Sequence, residues 1–250
     1  GLYEAFGTED FDDLYLKYEA DKTIPKKTVA AQDLFGDLLK ERAETGRIYI
    51  MNLDHCNSHS SFKDKVSMSN LCQEITLPTT PIQDIHDDQG EIALCILSAI
   101  NVGGLNDLGE LESICDLAVR ALEQIIDYQD YPVKAAEVST KKRRSLGIGY
   151  IGLAHYLAKH GVKYSDPKAW DLVDRLSEAF QYNLLRASCN IAMEKGKCEA
   201  FDRTKYADGL LPIDHYKKDV DKIVPHKQRM AWESLRKDIA KHGLRHSTLS

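Results

Sequence analysis

The fold is decided by the run Glu91-Ile92-Ala93-Leu94-Cys95-Ile96-Leu97-Ser98-Ala99-Ile100, which is short and apolar and predicts a buried strand. A helix is expected to follow, because Asp107 and Glu110 can form a capping box and apolar residues then recur at helical spacing as far as Tyr128. The predicted inward face of this helix consists of Leu111, Ile114, Cys115, Ala118, Leu122 and Ile125. A strand followed by a helix that can pack on it is typical of an α/β fold.

Further elements lie on both sides of this unit. Helices are predicted over residues 28–43 and 150–160, and a long helix is predicted from Asp166-Pro167, a cap followed by proline, to near Gly196. The predicted inward face of the first of these helices consists of Ala31, Leu34, Phe35, Leu38 and Leu39. Gly46 is expected to end that helix, and residues 47–53 and 70–77 are predicted as strands.

Composition and charge narrow the class of protein. The chain has 250 residues, 43% of them hydrophobic and 29% charged, as in a globular protein. Its net charge of −6 argues against a nucleic-acid-binding protein. The absence of an apolar run of about 18 residues argues against a membrane-spanning helix. Six cysteines are too few for a disulfide scaffold and indicate a reducing compartment, the cytoplasm. We also expect no secretory leader and, from the appearance of both ends, an internal piece of a longer polypeptide.

The densest chemical signal is Asn70-Leu71-Cys72-Gln73-Glu74. In a strand, residues two apart point to the same side, so Asn70, Cys72 and Glu74 would share one face. That face would combine an amide, a thiol and a carboxylate, and burying an unpaired carboxylate is costly. Spacing alone leaves two interpretations open: a reactive site, or a strand edge whose polar side faces water.

Several separated motifs resemble, in the same order, those of the large catalytic subunit of class I ribonucleotide reductases. The central motif is Asn-x-Cys-x-Glu at residues 70–74. The others are TGRIYI at 45–50, DHCN at 54–57, GEIALC at 90–95, DYQDYP at 127–132, RRSLGIG at 143–149, LPID at 211–214 and HGLRHST at 242–248. The resemblance therefore covers nearly the whole chain and includes its chemically distinctive residues.

The resemblance implies roles within the segment 70–74. The Cys72 thiol is expected to become a transient thiyl radical that takes the 3′ hydrogen of the substrate ribose. Glu74 is expected to accept the proton of the 3′ hydroxyl, and Asn70 is expected to hold the sugar by hydrogen bonds. Leu71 and Gln73 complete the expected substrate-binding segment.

The resemblance also implies a redox cysteine and an architecture. Cys95 is expected to be half of a redox pair that supplies two electrons and ends as a disulfide with a cysteine outside this chain. Residues 1–250 are expected to form part of a ten-stranded α/β barrel with flanking helices, with Cys72 near a loop entering the barrel centre. The N-terminal regulatory part and the C-terminal part of the barrel are expected to lie outside the chain, which should be inactive alone.

The partners implied by the resemblance are a second large subunit and a metal-containing small subunit that generates the radical. Ribonucleoside diphosphates are the expected substrates, and nucleoside triphosphates the expected effectors. No metal or other cofactor is expected within this segment. The reductant is expected to be a dithiol protein of the thioredoxin or glutaredoxin type.

Two other functions compete with this interpretation. Gly147-x-Gly149-x-x-Gly152 fits the fingerprint of NAD- or FAD-dependent enzymes. The basic run at 140–145, however, is not the buried strand that should precede such a fingerprint, and the glycines are expected instead to allow close packing at the start of a helix. The second competitor is a catalytically silent structural fragment.

Other polar residues and cysteines carry weaker signals. His55, Cys56 and His59 could be combined with Cys72 into a zinc site, but paired C-x-x-C spacing is missing, which favours structural roles. The remaining cysteines divide into Cys115 and Cys189, which are expected in the core, and Cys198, which is expected in a loop. The basic run at 141–144 is predicted to be a solvated turn.

Overall fold

The computed structural model describes residues 1–216, 218–223 and 227–249. The chain divides into two compact units. The first contains Gly1–Ser60 and Lys65–Pro78, and the second contains Ser61–Asp64 and the chain from Thr79 onward.

The first unit is helical and has a small core. Its helices are α1 (Leu2–Ala5), α2 (Phe11–Ala20), α3 (Ala31–Thr45) and α4 (Leu53–His59). Its buried apolar side chains include Leu53, Val66 and Leu77. Asn57 fixes the segment around Val66, because its Nδ2 donates to the carbonyls of Leu53 and Val66 at 2.9 Å and its Oδ1 accepts from the Val66 N–H at 2.8 Å.

Two predictions for the first unit need correction. Helix α3 ends at Gly46 as expected, with φ 67°. Its predicted inward face is not buried, since Leu34 and Phe35 are 61% and 60% exposed. The strand predicted over 47–53 is wrong, because residues 47–52 have no strand pairing and α4 begins at Leu53. Apolar residues favour a strand only where a second strand supplies hydrogen bonds.

The second unit combines two strands with five helices in the described part of the chain. The strands are β1 (Ile96–Asn101) and β2 (Leu146–Ile151). The helices are α5 (Leu111–Tyr128), α6 (Lys134–Arg143), α7 (Leu153–Lys159), α8 (Pro167–Lys195) and α9 (Trp232–His242). Short 3-10 turns occupy Val102–Gly104, Leu108–Glu110, Phe201–Arg203, Lys205–Asp208, Pro212–Asp214 and Lys218–Lys222.

The two strands are parallel, as expected for an α/β unit with a helical crossover. The register pairs Ile96 with Leu146 and Asn101 with Ile151. On its other side Leu146 pairs in parallel with Leu249, and its N–H donates to the Thr248 carbonyl at 3.1 Å. Strand β2 therefore has parallel neighbours on both sides at its start.

Helix α5 packs on one face of this sheet, α8 packs on α5 and reaches the sheet through the contact of Phe180 with Tyr150, and the two helices form most of the core. The cap predicted for the long helix is confirmed, because the Asp166 side chain accepts from the Lys168 N–H and Pro167 is the first helical residue. The inward face predicted for α5 is largely confirmed. Ile125 is the exception at 43% exposure, and the neighbouring Ile126 is buried instead.

The helix predicted over 150–160 begins later than expected. Tyr150 and Ile151 belong to β2, and α7 starts at Leu153 after Gly152, which has φ 79°. No helix in the described residues is both long and apolar enough to cross a membrane.

Candidate active-site loop and redox thiol

Residues 69–75 form a tight loop in the first unit. The Gln73 N–H donates to the Asn70 carbonyl at 3.1 Å and closes a turn with Leu71 and Cys72 at its tip. Asn70 Oδ1 accepts from the Ile75 N–H at 3.0 Å. The base of the loop is closed further by Ser69 Oγ, which donates to the Ile75 carbonyl at 2.7 Å. A short polar network therefore holds the turn.

The loop replaces the strand predicted over 70–77, so the argument that three side chains share one strand face is wrong. Gln73 has φ 60°, a left-handed conformation that a regular strand does not contain. Such backbone conformations cluster in turns and at functional sites. The turn leaves Leu71 83% exposed and also exposes Cys72 and Glu74.

Cys95 lies in the second unit, directly before β1, and is half-buried. The Ile96 N–H donates to the Ser145 carbonyl at 3.2 Å, which ties the backbone next to Cys95 to the start of β2. A Cβ atom added at Gly147 would lie 3.1 Å from Cys95 Sγ and 2.5 Å from Leu97 Cδ2. The Cys95 sulfur therefore lies beside Gly147 on the Leu97 side of the sheet.

The thiols differ in their accessibility. No disulfide joins any two of the six cysteines. Burial raises the pKa of Cys115 and of Cys198 to about 12 and that of Cys189 to about 11. Because the thiolate is the reactive form, these three are inert near neutral pH. Core positions for Cys115 and Cys189 are confirmed, whereas Cys72 is exposed and Cys95 is half-buried.

A buried ionic network, unexpected from the sequence, surrounds Glu123 of α5. Its Oε2 accepts from Arg144 Nε at 2.7 Å and from His246 Nε2 at 3.1 Å, and its Oε1 accepts from Arg245 Nε at 2.8 Å. Burial acts to raise the pKa of Glu123, but these hydrogen bonds outweigh it and hold the pKa at about 2. The ionised carboxylate therefore ties α5 to the start of β2 and to residues 245–246.

His246 continues this network to α8. Its backbone N–H donates to Ser188 Oγ at 3.2 Å, and its Nδ1 lies 2.9 Å from the same oxygen. Burial lowers the pKa of His246, and the contacts fit the tautomer in which Nε2–H donates to Glu123 and Nδ1 accepts from Ser188. Although serine, histidine and glutamate lie in series, all three are fully buried, and a substrate cannot reach Ser188.

The solvated turn predicted at 141–144 is wrong for its two arginines, since Arg143 and Arg144 are only 2% and 4% exposed. Arg143 Nε donates to Glu91 Oε2 at 2.5 Å, and Arg143 Nη1 donates to Asp64 Oδ2 at 3.0 Å. Arg203 also contacts both of these carboxylates. Glu91 lies four residues before Cys95, so this second network fixes the chain that leads to the Cys95 thiol.

The glycine fingerprint does not have the geometry of a dinucleotide site. The helix α6, not a strand, precedes it, and Gly147 and Gly149 lie within β2, where they are in register with β1. In the fingerprint, by contrast, the glycines lie in the turn between a strand and a helix. The expectation of packing at a helix start holds only for Gly152, where an added Cβ would collide with Asn101 Oδ1.

His55, Cys56 and His59, considered above for zinc, lie on α4. His55 is exposed on α4, with its ring centroid 6.4 Å from that of His59, and Cys56 is half-buried. Among the residues that the structure describes, no group of three or more His, Cys, Asp or Glu side chains is arranged to hold a metal.

Comparisons with known proteins agree with the motifs. A family model of the ribonucleotide reductase barrel domain matches residues 1–250. The chain is 58% identical to the ribonucleoside-diphosphate reductase subunit alpha of Haemophilus influenzae, with all of this chain and 34% of that protein covered. It is 54% identical to ribonucleoside-diphosphate reductase 1 subunit alpha of Escherichia coli and 40% identical to the subunit alpha of Enterobacteria phage T4, covering 34% and 33% of those proteins and at least 99% of this chain.

A parallel two-stranded sheet beside the half-buried Cys95, together with the exposed Cys72 on a tight turn, defines the class of protein here as an α/β segment that carries two accessible thiols. More particularly, the chain belongs to the ribonucleotide reductase barrel-domain family. It spans about a third of the length of the curated relatives that it matches.

Proposed function

We propose that this chain is a segment of the catalytic large subunit of a class I ribonucleotide reductase, which reduces ribonucleoside diphosphates to 2′-deoxyribonucleoside diphosphates for DNA synthesis. The observation that carries the proposal is the turn over residues 70–73, which presents the Cys72 thiol to solvent in a chain of the ribonucleotide reductase barrel-domain family. The names of the relatives supply the substrate class.

Cys72 takes the 3′ hydrogen atom of the ribose as a thiyl radical and returns a hydrogen atom at the end of the reaction. A thiol suits this task because its S–H bond is weak enough to exchange a hydrogen atom reversibly with a sugar C–H bond. The radical comes from a metal-containing small subunit. The exposed tip of the turn supports this role, because a sugar can approach the sulfur without displacing core side chains.

Glu74 and Asn70 act on the same sugar. The Glu74 carboxylate is exposed two residues beyond the thiol and accepts the proton of the 3′ hydroxyl, which helps the 2′ hydroxyl leave as water. Asn70 Oδ1 already accepts from the Ile75 N–H. Its amide nitrogen is therefore the group that donates to a sugar oxygen and fixes the orientation of the substrate. Leu71 and Gln73 complete the turn that carries these groups.

Cys95 and a second cysteine outside this chain supply the electrons. Two thiols are oxidised to one disulfide, and the ribonucleotide is reduced to the deoxyribonucleotide with release of one water molecule. A dithiol protein of the thioredoxin or glutaredoxin type then reduces the disulfide. The half-buried position of Cys95 beside Gly147 supports this role, because its sulfur is not sealed in the core. Cys115, Cys189 and Cys198, by contrast, are deeply buried and unreactive.

The ten-stranded barrel is the architecture that this segment would complete. Parallel sheets are normally covered on both faces. Helices cover one face of the sheet formed by β1 and β2, the face that carries Ile100, Leu146 and Ile148. On the opposite face Leu97 and Ile151 are 59% and 57% exposed. The open face, which also holds the Cys95 sulfur, is therefore the inner face of the proposed barrel. The pairing of Leu146 with Leu249 supports continuation of the sheet beyond β2.

The remaining partners follow from the same proposal. The segment works within a large subunit that pairs with a second copy, binds nucleoside triphosphate effectors and receives its radical from the small subunit. Six cysteines in 250 residues are too few for a disulfide scaffold, which supports a reducing compartment, the cytoplasm.

Single-turnover oxidation of Cys95 tests the proposed function. A full-length large subunit that carries this segment is mixed with its small subunit and a ribonucleoside diphosphate, without external reductant. We expect deoxyribonucleotide to form and Cys95 to enter a disulfide with a cysteine outside residues 1–250, as measured by peptide mass mapping. The buried Cys115 and Cys189 serve as internal controls and should remain thiols. Product formation with Cys95 still reduced, or with Cys95 joined to Cys115, would contradict its assignment.

A further inference from the structure

Gly147 occupies a strand position that does not require glycine for backbone reasons. It lies in β2 opposite Leu97, and its φ is not in the left-handed region that favours glycine. Glycine weakens a strand because it has no side chain to pack and loses more conformational freedom on folding. Glycine within a strand often marks a place where another group approaches closely. The space beside the Cα atom of Gly147 therefore accounts for the glycine.

That space is taken up by two neighbouring side chains. A Cβ atom at Gly147 would lie 2.5 Å from Leu97 Cδ2 and 3.1 Å from Cys95 Sγ. Leu97 is 59% exposed, so the end of its side chain can move into solvent. Cys95 has one rotatable side-chain bond, and the hydrogen bond from the Ile96 N–H to the Ser145 carbonyl holds the adjoining backbone. A methyl group at residue 147 therefore acts chiefly on the sulfur.

Gly149 provides a comparison within the same strand. It lies two residues further along β2 and so on the same face. No heavy atom lies within 4 Å of a Cβ added there. The steric restriction is therefore specific to the glycine beside Cys95 and does not extend to the next glycine on that face.

We propose that Gly147 is a positioning residue that keeps the approach to the Cys95 sulfur open for thiol–disulfide exchange, an inference that rests on the proposed redox role of Cys95. Exchange requires a second sulfur to come within about 2.05 Å, the length of the S–S bond that forms. In the exchange the Cys95 thiol loses its proton, its sulfur bonds to one sulfur of a disulfide, and the other sulfur leaves as a thiolate. A methyl group 3.1 Å from Sγ would either turn the sulfur away or obstruct the incoming group.

The test measures exchange directly and does not depend on nucleotide reduction. A full-length subunit is treated in its native state with dithiobis(nitrobenzoate), an aromatic disulfide, and modification of Cys95 and Cys72 is followed by peptide mass mapping. In Gly147→Ala we expect exchange at Cys95 to slow by at least about tenfold, with exchange at the exposed Cys72 unchanged. Gly149→Ala is the matched control and should leave both rates within about twofold of the parent.

A double variant separates obstruction of the sulfur from disturbed packing of Leu97. The double variant, Leu97→Ala with Gly147→Ala, removes the closer of the two contacts, the one with Leu97 Cδ2. It therefore keeps the experiment possible if Gly147→Ala alone fails to fold. We expect the double variant to keep the slow exchange at Cys95, with Leu97→Ala alone near the parent rate. Recovery of the parent rate in the double variant, or an unchanged rate in Gly147→Ala, would overturn the proposal. Because this readout is independent of substrate, a subunit that does not reduce nucleotides but shows the expected rates would contradict only the proposed function.

Discussion

Replacing Cys72 with serine is expected to abolish ribonucleoside diphosphate reduction by a full-length subunit, while substrate affinity stays within a few-fold of the parent. Cys72 lies at the exposed tip of the turn over residues 70–73, so serine keeps the shape of the side chain without a loss of packing. The O–H bond of serine is much stronger than the S–H bond of cysteine, and an equivalent radical cannot form. The measurements are deoxyribonucleotide formation with the small subunit and a dithiol reductant, and substrate binding by equilibrium dialysis.

Cys56→Ser is the matched control for this experiment. Cys56 lies on α4 in the same unit and is half-buried, and the proposed mechanism gives it no role. We expect this variant to keep turnover, which would separate the chemistry of Cys72 from a general effect of cysteine replacement. Substantial deoxyribonucleotide formation by Cys72→Ser would refute the radical assignment.

Local sequence signals predicted the elements whose determinants lie within the element itself. The long helix α8 begins at Asp166 and Pro167 because a cap and a proline act within one turn. The apolar stripe of α5 correctly placed Leu111, Cys115 and Leu122 in the core. The segments 47–53 and 70–77 failed as strands because a strand depends on a partner that local apolar content does not specify.

The sequence also predicts only part of the candidate site. Residue types and the family resemblance point to Asn70, Cys72 and Glu74 as candidates, and their roles stay a prediction. The turn that carries them is not predicted, since the left-handed conformation of Gln73 has no local signal in a glutamine. The basic composition of 141–144 predicts a solvated turn, which is wrong for Arg143 and Arg144 because their partners are distant in sequence. Arg144 binds Glu123, which lies 21 residues away, and Arg143 binds Glu91, which lies 52 residues away. A composition signal cannot distinguish such a buried network from an exposed basic turn.

Glu123→Gln is expected to destabilise the second unit by about 3–5 kcal/mol, the usual range for breaking a buried ion pair by removing one partner. The substitution keeps the side-chain volume but removes the buried charge that Arg144 and Arg245 share, and it leaves the buried guanidinium of Arg144 with only the half-exposed Asp127 as a carboxylate partner. Such a loss is a large part of the stability of a typical domain, about 5–15 kcal/mol. The measurement is the opening free energy of α5 by hydrogen exchange in the full-length subunit.

Glu137→Gln supplies the control, because the two carboxylates share a low pKa but differ in burial. Hydrogen bonds from Lys141 and Lys134 lower the pKa of Glu137 to about 2, as the network does for Glu123. The Glu137 side chain, however, is 27% exposed, and its lysine partners are more exposed still. Water and salt screen exposed ion pairs of this kind, so we expect Glu137→Gln to change the opening free energy little.

The pH dependence of the stability change in Glu123→Gln tests whether the ionised carboxylate of Glu123 causes that change. A carboxyl whose pKa is lower in the folded state stabilises that state above its unfolded pKa, and the stabilisation is lost as the pH falls through the folded pKa. For Glu123 the window extends from the ordinary value of 4.5 down to about 2, corresponding to roughly 3 kcal/mol. The difference in opening free energy between the parent and Glu123→Gln should therefore be full above pH 5 and should shrink steadily below pH 4.5. A difference that stays constant down to pH 2 would show that Glu123 acts through its shape and neutral hydrogen bonds, and the buried network would not be ionic.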